Sequence, residues 1–368
     1  MSSNYRVGVI GHTGRGNYGH GLDTCWLAMP EVHVVGVADA DEAGRASAAD
    51  RLKAPRAFAD YRKLLDETKP QIVSIGPRWL DQHHAMVLAA VERGIHVYME
   101  KPFCRNLAEA DALVTACEKH NVKLAIAHQT RYSPYIQVIH DLIYDGKIGQ
   151  VLELRGRGKE DGRGGGEDLW VLGSHIMNLM QTFGGEPSWC FAQVLEAGKP
   201  IRSEDVRPGK EGIGPLAGDT LSAMYGMDEG VTAYFASQRG MAGSPRRFGL
   251  QIFGSQGIIE LTTGYLPQAA ILLDSSWSPQ RSGSQWQKIS SAGIGKPETL
   301  MDPDHNLGNV AACRDLIEAI EEDRLPECNV YEARMTVEMI AGVFESHRLQ
   351  SPAELPLENR QNPLRSLS

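Results

Sequence analysis

The stretch Gly94-Ile95-His96-Val97-Tyr98-Met99-Glu100-Lys101-Pro102-Phe103 is an apolar strand that runs into a charged pair and is stopped by proline. Preceded by a helix-like run and a glycine, a strand this apolar belongs in a parallel sheet covered on both faces. Open sheets of that type bind ligands beyond the carboxyl ends of their strands. Glu100 and Lys101 are therefore expected at the mouth of the sheet, where Pro102 fixes the exit of the backbone.

Working outward to the amino terminus, Tyr5–Ile10 predicts a strand ending directly in Gly11-His12-Thr13-Gly14-Arg15-Gly16-Asn17-Tyr18-Gly19. A helix-like segment to about Ala28 and a second strand, Val32–Ala38, follow, closed by Asp39. This is the start of a βαβ dinucleotide unit. In the register that begins where the strand ends, G-x-G-x-x-G falls on Gly11, Thr13 and Gly16; the middle glycine is missing, and Gly14 is the substitute for close backbone approach. Such glycines permit the tight turn and bring a pyrophosphate to the helix N-terminus. Asp39 is placed to hydrogen-bond ribose hydroxyls and to repel a 2′-phosphate, which predicts NAD in preference to NADP; Arg45 is the residue most able to upset this.

Alternation continues with helices over 60–68, 83–93 and 107–120 and strands over 71–75, 95–99 and 122–127, the pattern of a doubly wound parallel sheet. From about residue 130 the texture changes. After a connecting helix at 134–144, β-like runs at 151–157, 189–195, 220–225, 231–237, 249–253, 258–262 and 270–273 are separated by glycine-rich turns, as in an antiparallel sheet. Helices are expected over 169–183, 309–322 and 330–348. The expected organisation is a Rossmann-type α/β domain over 1–130 and an α+β domain with an open antiparallel sheet over 131–368.

At 368 residues the chain is too long for one ordinary core, in keeping with two domains. Its 42% hydrophobic and 23% charged residues describe a soluble globular protein. No window approaches the roughly 18 uncharged apolar residues of a membrane span. The start, Met-Ser-Ser-Asn-Tyr-Arg, leads straight into a strand, so a cytoplasmic location is expected. The net charge of −9 is spread along the chain without a Lys/Arg stripe, and nucleic acid is not an expected partner. Cys25, Cys104, Cys117, Cys190, Cys313 and Cys328 lie far apart without metal-ligand spacing, so neither zinc nor a disulfide framework is implied.

These pieces occur in a specific order: the glycine loop, Asp39, Gly76-Pro77 followed by His83, G-x-H-V-x-x-E-K-P, Gln129-x-Arg131-Tyr132-x-Pro134, Gly173-x-His175, and a tail with Glu345-Ser346 and Leu355-Pro356-Leu357. No single piece is specific, but over nearly its whole length the chain resembles the glucose-fructose oxidoreductase / inositol dehydrogenase (Gfo/Idh/MocA) family of nicotinamide-dependent sugar and cyclitol dehydrogenases. The resemblance implies a Rossmann domain followed by an open antiparallel sheet, an NAD cofactor, and a secondary hydroxyl of a sugar, cyclitol or glycoside as the group oxidised. Carried over by position, Gly11, Thr13, Gly14, Gly16, Asp39, Pro77, Glu100, Lys101 and Gln129 hold the cofactor. Lys101 and His175 are the catalytic pair, and Arg131, Tyr132, Asp168 and Trp170 face the substrate. The chemistry explains the lysine: loss of hydride from a secondary alcohol requires its hydroxyl proton to leave, and a positioned base is worth roughly a hundredfold to ten-thousandfold.

Two departures stand out. Many members carry an aspartate four residues before the histidine, where this chain has Val171; Asp168 can replace it in part if the helix extends that far. Asn178 replaces another common aspartate with a neutral amide. The stretch 156–166, with six glycines, fits either a floppy surface loop or a mobile lid. Helices are too few to cover both faces of the second sheet, and the family joins subunits there, so a homodimer or homotetramer is expected. Two other functions remain open: a redox-cycling lyase or glycosidase that retains its NAD, and a nucleotide-sensing regulator without catalysis.

Overall fold

The computed structural model describes residues 4–367. They form two compact units, one of the residues up to 128 with 210–214 and 304–337, the other of 129–209 with 215–303 and the residues from 338 onward. The first division along the chain falls after His128, and residues 304–337 return to the first unit.

The first unit holds a six-stranded parallel sheet of β1 (Tyr5–Ile10), β2 (Val32–Ala38), β3 (Ala57–Phe58), β4 (Ile72–Ile75), β5 (His96–Met99) and β6 (Leu124–Ile126), ordered β3-β2-β1-β4-β5-β6. This is the Rossmann order, and its strand order reverses between β1 and β4. Strands β4 and β5 are almost wholly buried, which is why they read as continuous apolar runs. Helices α1 (Glu42–Leu52), α2 (Tyr61–Thr68), α3 (His83–Val91) and α4 (Leu107–His120) connect the later strands. Asp41, Asp60 and Asn106 cap α1, α2 and α4 through their side chains.

The connection from β1 to β2 departs from expectation. Residues 11–24 run as turns closed by a His12–Asn17 bridge, and only a 3-10 turn, Cys25–Ala28, follows. The helix Leu307–Glu321 packs beside that turn, with Cys313 Sγ 3.6 Å from Cys25 Sγ. It supplies the cover that a helix after β1 was expected to give.

The second unit is built on an eleven-stranded sheet. Its neighbouring strands pair antiparallel, except that Thr232–Gln238 runs parallel to β7 (Val151–Arg157). After α5 (Pro134–Tyr144) and β7, the expected helix over 169–183 is broken at Leu172 into α6 (Gly166–Val171) and α7 (Gly173–Gly184). Leu154 and Gly156 turn toward α7, where a side chain on Gly156 would strike Ile176 and Met180. Residues 339–347 cover the strand Trp189–Glu196 on the same helical side, through Ser346 and His347 bonded to the Ala192 and Val194 amides. All six cysteines are free and buried, and among the described residues no helix is long and apolar enough to cross a membrane.

Candidate active site

One register row sets the cofactor edge of the first unit. Ile10 pairs with Ala38 and Ile75, and Ile75 with Met99. The residues that follow, Gly11, Asp39, Gly76 and Glu100, therefore leave the sheet side by side, at the end where such sheets bind nucleotides.

The glycines of the loop have different reasons. At Gly11 a side chain would collide with the Tyr18 ring, and at Gly16, which has φ +90°, with the backbone and Cβ of Arg78. Gly14 has φ +82° but a Cβ there would meet nothing within 4 Å, so open space lies over the loop at that point. Thr13, in the place of the middle glycine, donates its hydroxyl to Asp39 Oδ2 at 2.7 Å and its amide to both Asp39 oxygens at 3.0 and 3.2 Å. The Asp41 amide adds a bond at 3.0 Å. Asp39 is 2% exposed and fixes the loop from below. Arg45, the cation able to attract a 2′-phosphate, gives Nη1 to the Asp39 carbonyl at 2.7 Å.

Glu100 is 1% exposed and works as an anchor. Its Oε1 accepts the His20 amide at 2.9 Å and faces His20 Nδ1 at 2.5 Å, and its Oε2 accepts the Lys101 amide at 3.0 Å. Burial pushes this carboxyl up, but the bonds from His20 and the charge of Lys101 outweigh it and hold the group below its ordinary value. Gly19 is glycine because a Cβ there would meet the Glu100 side chain and the Gly76 carbonyl. Pro77 and Pro102 are tied together by the buried His83, whose Nε2 lies 2.6 Å from the Pro77 carbonyl and Nδ1 2.9 Å from that of Pro102. Lys101 is 5% exposed. Burial, then the neighbouring Lys101, pushes His128 down to about 3, so a neutral imidazole stands beside the lysine. His20 and His128 have no local sequence signal that marks these roles; their partners lie up to 80 residues away, whereas His83 falls in the Gly76-Pro77 motif.

The remaining expected residues lie in the second unit. Gln129, Arg131 and Tyr132 share one 3-10 turn, Gln129–Tyr132, whose Thr130 hydroxyl accepts the Gly264 amide. His175, half-buried, opens α7 and donates its amide to the Leu172 carbonyl at 3.1 Å. Val171 and Asn178 are buried. Asp168 does not replace the missing aspartate. Its Oδ2 accepts the Ser237 hydroxyl at 2.6 Å and the Glu160 amide at 3.0 Å, and its buried Oδ1 has no hydrogen-bond partner. Burial raises its carboxyl above the ordinary value despite those bonds. Trp170 is 2% exposed and belongs to the core rather than to a surface on which a sugar could stack.

Nor is the glycine-rich stretch a loose lid. Gly158 donates to Ala236, Glu160 accepts the Gln238 amide and pairs with Arg157 and Arg247, and Gly165 donates to Ser237. Its glycines let the chain lie against that strand: side chains at Gly158 and Gly165 would strike Asp168 and Asp219. A cavity of about 1010 Å3 is lined by Arg155, Arg157, Arg246, Lys288 and Lys296 and contains none of the expected site residues.

Residues 5–128 match the model of the oxidoreductase family with an NAD-binding Rossmann fold, GFO_IDH_MocA. The chain resembles the Gfo/Idh/MocA family in this Rossmann region, about a third of its length. It is a nicotinamide-dependent oxidoreductase, and the glycine cradle with its open space at Gly14 fits the NAD that the family binds. Levoglucosan dehydrogenase of Pseudarthrobacter phenanthrenivorans is 25% identical over 290 residues, 70% of this chain and 73% of that protein. D-apiose dehydrogenase of Paraburkholderia graminis is 25% identical over 250 residues, 65% of this chain and 64%, just under two thirds, of that protein. A solved levoglucosan dehydrogenase in complex with NADH and levoglucosan shares the fold with a TM-score of 0.77 at 21% identity, covering 96% of this chain and all of the other.

Proposed function

We propose that this protein oxidises a secondary hydroxyl of a sugar, cyclitol or glycoside, or reduces the corresponding ketone, with Lys101 as the acid/base. The observation that carries this is a buried lysine at the carboxyl end of β5, its backbone fixed by an equally buried carboxylate. Relatives named for levoglucosan, D-apiose and D-xylose support a carbohydrate substrate. NAD, held by the glycine loop and Asp39, supplies the hydride acceptor. In the oxidative direction the neutral Lys101 amine takes the hydroxyl proton as the carbonyl forms; in reverse the ammonium returns it. The neutral His128 beside it adds no competing positive charge. Thr13, Gly14 and Gly16 hold the loop shape, while Glu100 acts on Lys101 through the backbone and is a positioning residue.

The test is NADH absorbance with a panel that includes levoglucosan, D-apiose, D-xylose and inositols, on protein whose bound nucleotide is first identified. Bond cleavage in a glycoside without net NADH would favour a redox-cycling lyase, and nucleotide binding without turnover a regulator. NADH should bind more tightly than NADPH in a fluorescence titration, because the buried Asp39 charge opposes a 2′-phosphate.

A homodimer or homotetramer also fits the second sheet. Phe191, Met224, Tyr234 and Arg155 pair in register across four strands on the face away from α7, and Phe191 and Tyr234 are 46% and 38% exposed. Light scattering at micromolar concentration should give a multiple of the chain mass.

A further inference from the structure

The glycine loop lacks the feature that ordinarily meets a pyrophosphate. Between β1 and β2 there is no α-helix, so none begins at the glycine loop itself. Most of the loop's amides are also spent within the protein: Thr13 on Asp39, Gly14 on Asn17 Oδ1, Gly19 on the Gly16 carbonyl and His20 on Glu100. The positive charge for two phosphoryl groups has to come from side chains.

Besides Arg45, whose Nη1 is bonded to the Asp39 carbonyl, Arg51, Arg15 and Arg78 lie near the loop. Arg51 is paired with Asp23 at 2.7 Å. Arg15 pairs with Asp81 and lies 4.3 Å over the Trp79 ring, so its charge is largely offset. Arg78 is different. It follows Gly76-Pro77 at the end of β4, and β4 flanks β1 where the strand order reverses. A Cβ on Gly16 would stand 2.9 Å from the Arg78 Cβ, so the arginine leaves the backbone against the loop. Arg78 is half-buried and its Nε, like that of Arg15, is buried without a hydrogen-bond partner, but unlike Arg15 it pairs with no carboxylate among the described residues. Leaving a guanidinium nitrogen buried and unbonded is costly unless an anion completes it.

We infer that Arg78 binds the pyrophosphate of the dinucleotide, taking the place of the absent helix N-terminus. Its planar fork of donors suits phosphoryl oxygens. This rests on the nicotinamide-dinucleotide assignment, and the experiment separates the two. NADH is titrated by fluorescence against wild type, Arg78→Gln, Arg78→Lys and Arg15→Gln, with ADP and adenosine as competitors at low and high salt; thermal melts without nucleotide check folding. Arg78→Gln should weaken NADH and ADP by about ten- to a hundredfold, leave adenosine unchanged and flatten the salt dependence. Arg78→Lys should recover part of the loss, and Arg15→Gln should cost less than Arg78→Gln. NADH affinity within twofold of wild type in Arg78→Gln, or an equal loss for adenosine, overturns the inference alone. Wild-type protein that binds neither NADH nor ADP brings down the dinucleotide assignment and this inference with it.

Discussion

The end of β5 and the junction of α6 with α7 each carry one acid–base candidate, and they are built in opposite ways. At Lys101 a buried carboxylate holds both the lysine amide and His20, and a neutral imidazole stands beside it. At His175 the positions from which a carboxylate might support the ring hold Val171 and Asn178, and Asp168 is committed to Ser237 and the Glu160 amide. The difference teaches that a charge is kept where the fold pins its backbone on both sides. With Val171 and Asn178 at those two positions, His175 is expected to position the substrate by hydrogen bonding rather than to carry the proton.

The largest expected effect follows from the first half of that contrast. Lys101→Ala should lower kcat by roughly a hundredfold to ten-thousandfold while NADH affinity stays near wild type. Lys101→Arg should be nearly as damaging, because a guanidinium does not give up its proton. Undiminished turnover in Lys101→Ala removes the lysine from the mechanism.

Next comes the anchor. Glu100→Gln should cost roughly 1–3 kcal/mol of stability at pH 7, since buried donors lose a charged acceptor. The sign of the pH effect is fixed by the lowered carboxyl: its contribution is present above its ordinary value and is lost as pH falls through the still lower folded value. Wild type should therefore lose more stability than Glu100→Gln between pH 6 and the acid limb. Parallel curves would show that His20 and Lys101 do not hold the charge.

His175→Asn, which keeps a donor and an acceptor, should cost no more than about tenfold in kcat. A loss equal to that of Lys101→Ala would mean that the histidine transfers the proton unaided, and the contrast would break.

Much of this contrast was legible in the chain. The parallel strands declared themselves because burial on both faces leaves apolar runs, and the E-K-P exit of β5 located the lysine. Helix α1 escaped notice because only Ala48 and Leu52 of its residues are buried, too few to show a period, although Asp41 capping an alanine-rich run was a usable signal. The glycine loop suggested a helix because its pattern is that of a phosphate loop. The bridge between His12 and Asn17 and the packing of Tyr18 on Gly11 replaced that helix with turns. Along 158–166, glycines that read as freedom of motion serve close contact between backbones instead. The return of 304–337 to the first unit depends on partners such as Tyr98 and Asn309, bonded at 2.8 Å across 211 residues, which no local pattern reveals.

The smallest effect belongs to Asp168, and it tests the other half of the contrast. If its carboxylate serves only the turn before α6, Asp168→Asn should leave turnover near wild type, since His175 never depended on it. Stability should respond in a defined direction. A carboxyl raised by burial holds its proton more tightly folded than unfolded. Relative to a neutral amide, the wild-type aspartate therefore loses stability as pH rises from its ordinary value through the raised folded one. Whatever constant offset the amide brings, the stability of Asp168→Asn minus that of wild type should climb over that window and then level off, as read from urea melts at a series of pH values. A flat difference would mean that Oδ1 finds a donor in solution. A loss of turnover matching that of Lys101→Ala would mean that Asp168 supports His175 after all, making the two acid–base regions alike rather than opposed.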